Sequence, residues 1–455
     1  MGLLCFLASL LLLATSSFAG HQEAEQGLNR STLQLTLYHV FGPESPLTSH
    51  SPPSISELLS RDKARVKHLN SRLTKINRTS SVANSTSHNS EHLFGPLNLG
   101  LPIGIGTGNY YIEVGLGTPP TYYHVIVDTG SSLSWLQCQS CPGCNEQVRP
   151  FFDPPSSSTF KLVPCTTPEC NALKDVTPNG PNCISLNTCL YNATYGDDSF
   201  SSGYLIQDSL TLTQSETLTG FVCGCGQHIE GFRSEFAGLF GLARNELSML
   251  SQLSANYGNA FSYCLPSASG SSGGSLSIGT DSLMEYSYKF TPMITNSRDN
   301  SLYYLNLIAI VVAGRTMAVP TKYNLMVIDS GTEVTRVPML LYYNLVNVVT
   351  EIMVLLNHEP AGNFDIFHMC YQGSVKNMQS DVPEIRLVFQ GGADLTLEPQ
   401  SLLIDVPELG ITCFTFAPNV FDDDIAIIGN IHQQTYRVAY DVHNSRIGFA
   451  AGACS

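Results

Sequence analysis

Asp128-Thr-Gly-Ser and Asp329-Ser-Gly-Thr stand 201 positions apart, each directly after a run of apolar residues. The first run is His124-Val-Ile-Val and the second is Leu325-Met-Val-Ile. An apolar run that ends in an acid, a hydroxyl residue and a glycine describes a buried strand delivering a carboxylate into a tight turn. The glycines Gly130 and Gly331 permit that turn, and hydroxyls beside the acids can hydrogen-bond the carboxylates. A repeat at about one domain's length points to two similar halves, each giving one acid to a shared site. Two carboxylates forced together cannot both ionise easily, so they share a proton and can serve as base and acid. Such a pair can activate water against a carbonyl, with neither metal nor cofactor.

The elements that must position these acids read as mainly β. Short strands such as Tyr110-Tyr-Ile-Glu-Val, 122–127, Ser209-Leu-Thr-Leu-Thr and Tyr436-Arg-Val-Ala-Tyr are broken by Gly, Pro and Asn. Two further echoes support duplication. Ala237-Gly-Leu-Phe-Gly241 and Ala426-Ile-Ile-Gly429 are apolar segments closed by glycine, each roughly 100 positions after its aspartate. Trp135, the chain's only tryptophan, follows Asp128 by seven residues. Tyr195-Gly-Asp-Asp-Ser resembles a hairpin tip with an exposed tyrosine able to close over a bound molecule. The expected layout is a signal peptide at 1–19, a prosegment at 20–95, a first half at 96–290 with a cysteine-rich insert at 138–189, and a second half at 291–455. The apolar stretch 339–356, interrupted by Asn344, Asn347 and Glu351, reads as a core helix opened by Pro338.

Net charge is −15 over 455 residues, unevenly spread. Residues before 96 hold 8 Lys and Arg against 6 Asp and Glu, leaving 14 against 31 in the remainder. A body this acidic lacks the basic footprint of nucleic-acid binding. The apolar N-terminus closes on Ser17-Phe-Ala19, the pattern of a secretory leader, and the C-terminus carries no apolar tail for a lipid anchor. Four sequons, at Asn29, Asn77, Asn84 and Asn192, suit that route as glycosylation sites. Seven basic residues fall within 61–78, where Val66, Leu69, Leu73 and Ile76 recur at helical spacing. This basic amphipathic helix, followed by a Ser/Asn/Thr-rich linker at 79–90, is expected to be an inhibitory prosegment over an acidic cleft. Thirteen cysteines follow the leader. Cys138-x-x-Cys141-x-x-Cys144 has metal-cluster spacing, but in a secreted chain disulfides are preferred, and the odd count leaves one free thiol.

From about residue 105 to the C-terminus the chain resembles the pepsin-type (A1) aspartic endopeptidases, and within them the plant nepenthesin-like group. The resemblance implies a bilobal, mainly β fold of two barrel-like lobes flanking a cleft, and peptide-bond hydrolysis at acid pH by a monomer whose partners are protein substrates and its own prosegment. It implies Asp128 and Asp329 as the catalytic pair, Ser131 and Thr332 as the hydroxyls beside them, Tyr195 as the flap tyrosine and Trp135 as its hydrogen-bond partner. By analogy the disulfides are Cys138–Cys141, Cys144–Cys225, Cys165–Cys189, Cys170–Cys183, Cys264–Cys454 and Cys370–Cys413, with Cys223 free. Members usually read Tyr-Gly-Asp-Gly at the flap, where this chain has Asp198 in place of the second glycine. The destination implied is extracellular, in the apoplast, or the vacuole. Plant inhibitors of glycoside hydrolases share this fold but typically lack one aspartate motif, so inhibition is the alternative function.

Overall fold

The computed structural model describes residues 32–47, 52–74 and 109–454, apart from short gaps at 145–146, 148, 178–179, 185–186, 196–198, 233–235 and 269–272. The expected signal peptide, the linker, Ile76, the sequons at Asn29, Asn77 and Asn84, and the flap tip with Asp198 lie outside the described residues.

The chain is mainly β. Among the described residues a fifteen-stranded sheet carries most of the first half, and sheets of eight and four strands carry the second. Two units of the same design stand at the centre. Strand β3 (Thr121–Asp128) lies parallel to Gly238–Gly241, with Asp128 opposite Gly241. Strand Leu325–Ile328 lies parallel to Ala426–Ile428, with Ile328 opposite Ile428. Parallel pairing places both faces of these strands inside the protein, which explains their continuous rather than alternating apolar runs. Both apolar-glycine segments are therefore the partners of the aspartate strands. Gly241 and Gly429 are needed for close approach: a Cβ would lie 2.3 Å from the Ser131 carbonyl oxygen at the first and 2.2 Å from that of Glu333 at the second.

The halves share a sheet. The closing strands Tyr436–Asp441 and Arg446–Ala451 pair with each other, and the former pairs with Ala260–Cys264. Lys289–Pro292 pairs in turn with Arg446–Ala451, so the boundary expected at 290–291 falls within a strand. The Cys264–Cys454 disulfide fastens the chain end to the same sheet.

Among the described residues two elements precede β2 (Tyr110–Leu116). Strand β1 (Leu33–His39) pairs with Gly274–Ile278 along one edge and meets β2 at Tyr38 and His39. Its plain alternation buries Leu33, Leu35, Leu37 and His39. Helix α1 (Ile55–Thr74) starts earlier than the basic run and buries Leu59, Val66, Leu69 and Leu73, together with the charged Asp62 and Arg65. The helix Met339–Leu355 does follow Pro338, but only Leu341, Tyr342, Leu345, Val349 and Met353 are buried. Leu340 and Leu355 are 51% and 74% exposed, so it covers a core with one face instead of lying within it.

The cysteine-rich insert is cross-linked differently from the pairing that the resemblance implied. Cys138 joins Cys225 and Cys141 joins Cys144, in place of Cys138–Cys141 and Cys144–Cys225. The cause is strand register. Strand β4 (Trp135–Gln137) runs parallel to Thr217–Glu230 with Leu136 opposite Cys225, and the Cys138 N–H donates to the Gly226 carbonyl at 3.1 Å. Likewise Cys165–Cys183 and Cys170–Cys189 replace Cys165–Cys189 and Cys170–Cys183. Helix Pro168–Val176, capped by the Thr167 hydroxyl, turns Cys170 inward to the buried Cys189, and the more exposed Cys165 and Cys183 are left for each other. The sulphurs of Cys165, Cys170 and Cys183 lie within 4.8 Å of one another, so small shifts in helix position decide the partners. Cys370 bonds Cys413 across adjacent strands, and Cys223 is free and buried, with its thiol pushed up by burial.

Two outcomes test this architecture. Gly241→Ala and Gly429→Ala should each cost about 1–3 kcal/mol or more, because backbone rather than a movable side chain meets the added methyl. Thermal unfolding should show a lower Tm for both. Peptide mapping under non-reducing, acidic conditions should recover the Cys170–Cys189 and Cys165–Cys183 links.

Candidate active site

Strand β3 and strand Leu325–Ile328 bring Asp128 and Asp329 face to face at the junction of the halves. Both carboxylates are buried, at 3% and 0% exposure. The turns after them lock together: the Ser330 N–H donates to the Thr129 hydroxyl at 2.9 Å, and the Thr129 N–H donates to the Ser330 hydroxyl at 3.2 Å. This reciprocal pair makes each half hold the other's turn. Each carboxylate then has its own donors. Asp128 accepts from the Gly130 N–H at 3.0 Å and from the Ser131 hydroxyl. Asp329 accepts from the Thr332 hydroxyl at 2.6 Å and from the Gly331 N–H. The two glycines leave room for the opposite acid. A Cβ on Gly130 would come within 2.6 Å of Asp329 Oδ1, and one on Gly331 within 2.8 Å of Asp128 Oδ1.

Beneath the pair, Gln433 donates to the Asp329 carbonyl at 3.1 Å and to the Ile428 carbonyl at 2.9 Å, and it accepts from the Tyr263 hydroxyl. Tyr263 in turn shares a 2.7 Å hydrogen bond with Tyr440, so strands of both halves support the turn that carries Asp329. To one side the Trp135 indole N–H donates to the Tyr195 hydroxyl at 2.7 Å. Tyr195 stands at the mouth of a recess of about 440 Å³ bordered by His68, Arg72, Ser131 and Asp299. Asn192 lies midway along the strand Thr188–Thr194, half-buried. The sulphurs of Cys138, Cys141 and Cys144 are all in disulfides, so that cluster offers no thiolate to a metal.

The position between the two acids is taken by α1. Arg65, itself 4% exposed, donates from Nη2 to Asp128 Oδ1 at 2.7 Å and to Asp329 Oδ1 at 2.8 Å. Its Nη1 reaches Asp128 Oδ2 at 2.9 Å and its Nε reaches Asp329 Oδ2 at 3.0 Å. One guanidinium thus makes four charge-assisted bonds, two to each carboxylate. Around it Arg72 donates to the Gly130 carbonyl and the Ser301 hydroxyl, both at 2.7 Å, and pairs with Asp299. On the other flank Asp62 pairs with Arg336. Asn70 accepts from the Ile425 N–H at 2.9 Å. The sequence shows how many basic residues α1 carries, but not which one enters the site. A usable signal is present: Asp62 and Arg65 fall on the same helical face as Leu59, Val66 and Leu69, where isolated polar residues are costly unless each has a partner.

Burial works against the ionised form of Asp329, yet the Arg65 charge and hydrogen bonds, aided by the Thr332 hydroxyl and the Gly331 N–H, hold its carboxyl below the usual range. Burial likewise opposes the Arg65 charge, and the two carboxylates outweigh it and hold Arg65 firmly protonated.

The chain matches the family models described as xylanase inhibitor N-terminal over residues 110–280 and xylanase inhibitor C-terminal over residues 302–451. It is 36% identical to an aspartyl protease family protein of Arabidopsis thaliana, over 98% of this chain and 92% of that one. With the aspartic proteinase nepenthesin-2 of Nepenthes gracilis it shares 32% identity over 78% of this chain and 80% of that one. The soybean Basic 7S globulin structure superposes with a TM-score of 0.59 at 18% identity, over 75% of this chain and 92% of that one.

The Arg65 contact should be acid-sensitive. Asp329 has a folded-state pKa below its unfolded value, so its contribution is fully present above about pH 4 and is lost as pH falls through the lowered value. Hydrogen exchange of the α1 amides in the full chain should show protection at neutral pH and its loss in acid. Arg65→Gln leaves two buried acids without their cation, a change worth about 3–5 kcal/mol, and should expose α1 already at neutral pH.

Proposed function

Because the chain belongs to the plant pepsin-type aspartyl protease family, we propose that it is an endopeptidase made as an inactive precursor and active at acid pH. The observation that carries this reading is the single position faced by both inner carboxylate oxygens, where Arg65 Nη2 now sits at 2.7 and 2.8 Å. A water molecule placed there would touch both acids. With one carboxylate ionised and the other protonated, the ionised acid takes a proton from the water as its oxygen attacks the scissile carbonyl carbon. The protonated acid gives its proton to the carbonyl oxygen, forming a neutral gem-diol. Collapse of that diol breaks the C–N bond: the amine leaves with the proton just gained from water, and a hydroxyl proton of the diol returns to the other carboxylate. Both acids end as they began. Tyr195, held by Trp135, closes the site from above, and the pair titrates as a unit that favours acid pH.

In this reading residues 20–95 are the prosegment, and α1 is its inhibitory part. Arg65 takes the place of the water between both acids and supplies the charge that keeps Asp329 ionised, an unreactive arrangement. Acid protonates Asp329, weakens its pairing with Arg65 and uncovers the cleft, after which the linker beyond α1 can be cut. Residues 1–19 serve as a secretory leader. Six disulfides among the described residues suit an oxidising compartment, which supports delivery to the apoplast or vacuole. No described helix is long and apolar enough to cross a membrane. The family models carry a xylanase-inhibitor description, so inhibition of a glycoside hydrolase is the second reading. Hydrolysis is preferred because both acids, both neighbouring hydroxyls and the Trp135–Tyr195 bond are all in place.

Cleavage of a denatured protein substrate should rise as pH is lowered from neutral toward about 3–4, after a lag for processing. Asp128→Asn and Asp329→Asn should each reduce the rate by about 10²–10⁴-fold, the scale of lost acid–base catalysis. Undiminished hydrolysis by either variant would refute the assignment, and inhibition of a xylanase without proteolysis would favour the second reading.

A further inference from the structure

One helical turn before Arg65, α1 makes a second buried ion pair of opposite polarity. Asp62 is 0% exposed; its Oδ1 accepts from the Glu333 N–H at 2.8 Å and the Val334 N–H at 3.2 Å, and its Oδ2 pairs with Arg336. Arg336 lies on the short strand Thr335–Val337, seven residues beyond Asp329, and is 2% exposed. Its Nε has no hydrogen-bond partner among the described residues, so the guanidinium still has capacity for a second oxygen. The carboxylate of Glu333 is turned to Asn109, whose side-chain amide donates to it. One wall of the cleft therefore gathers two backbone N–H groups and a guanidinium around one carboxylate. The dyad chemistry uses none of these donors.

When α1 leaves, this pocket loses its anion. A desolvated cation is costly without a partner, and a planar guanidinium flanked by N–H donors selects a carboxylate over a neutral side chain. We propose that Arg336, with the N–H groups of Glu333 and Val334, forms a specificity subsite that takes an Asp or Glu side chain of the peptide substrate. Asp62 occupies it in the precursor as a substrate mimic. The proposal rests on the endopeptidase reading. It also places the preferred residue close to the scissile bond. Asp62 and Arg65 are separated along the helix by about 4.5 Å of rise, and an extended peptide advances about 3.3 Å per residue. The acidic position should thus fall within about three residues of the cut.

The test uses the full chain after acid processing, as wild type, Arg336→Met and Arg336→Lys. Each is given a complex peptide mixture at about pH 5, where acidic side chains are largely ionised, and cleavage positions are read by mass spectrometry. Matched peptides differing only as Asp or Asn at the favoured position give the ratio of kcat/KM. The wild type should enrich Asp and Glu at one position and favour Asp over Asn by about tenfold or more, the scale of a hydrogen bond to a charged group. In Arg336→Met the ratio should fall toward one whatever the change in absolute rate, and Arg336→Lys should keep part of it. Wild-type cleavage with no acidic enrichment near the cut would overturn the subsite, as would enrichment that survives Arg336→Met. The wild-type profile decides the matter even if a variant fails to fold. Absence of cleavage by every form would instead overturn the endopeptidase reading, and the subsite with it.

Discussion

Two negative charges must be held side by side in a site that excludes water. At 4 Å, like unit charges repel by about 4 kcal/mol at an effective dielectric of 20, and burial adds a desolvation cost for each. The surrounding fold answers that demand. Parallel strand pairs fix each acid from below, Gly130 and Gly331 let the acids approach, and the Thr129–Ser330 exchange stops the halves from separating. Every carboxylate oxygen has a donor. With α1 in place the balancing charge comes from Arg65. Without that cation the least costly solution is a shared proton, the state that hydrolysis requires.

The same contact explains why an inhibitory helix would carry charge on its buried face. Asp62, Arg65 and Arg72 lie on one side of α1, each engaged by a group of opposite charge on the body. Apolar contacts of Leu59, Val66 and Leu69 attach the helix, and the Arg65–Asp329 contact makes the attachment sensitive to acid. Strand β1 is held differently, by backbone hydrogen bonds to Gly274–Ile278 and β2, which do not titrate. In the proposed activation, acid would therefore lift α1 while β1 keeps the leading segment attached, so uncovering the dyad and removing the segment would be separable events.

Much of this is legible in the amino-acid sequence alone. The paired Asp motifs, the apolar-glycine partners and the mainly β class follow from residue type and spacing, because each reflects a local backbone demand, whereas the Trp135–Tyr195 bond is implied only by the family resemblance. Other features depend on tertiary placement. Which cysteine meets Cys225 is set by the register of β4 against Thr217–Glu230, a quantity no spacing encodes. The crossing of the final strands into the first half's sheet is equally non-local. Strand β1 is legible in principle, since Leu33-Gln-Leu-Thr-Leu alternates plainly, but the basic pattern at 61–78 is the stronger signal in the leading segment. Arg65 itself is hidden among seven basic residues, and only its face on α1 singles it out.

The central claim is that one guanidinium, bonded to both acids, holds Asp329 ionised and the dyad unreactive. Its most direct measurement is a carbon-13 NMR titration of the aspartate carboxyl groups, with Asp329 assigned by its Asn variant, before and after acid processing. Asp329 in the precursor should stay ionised to below the usual carboxylate range, and after processing the dyad should take up one proton at a clearly higher pH. Superimposable titrations of the two forms would contradict the claim.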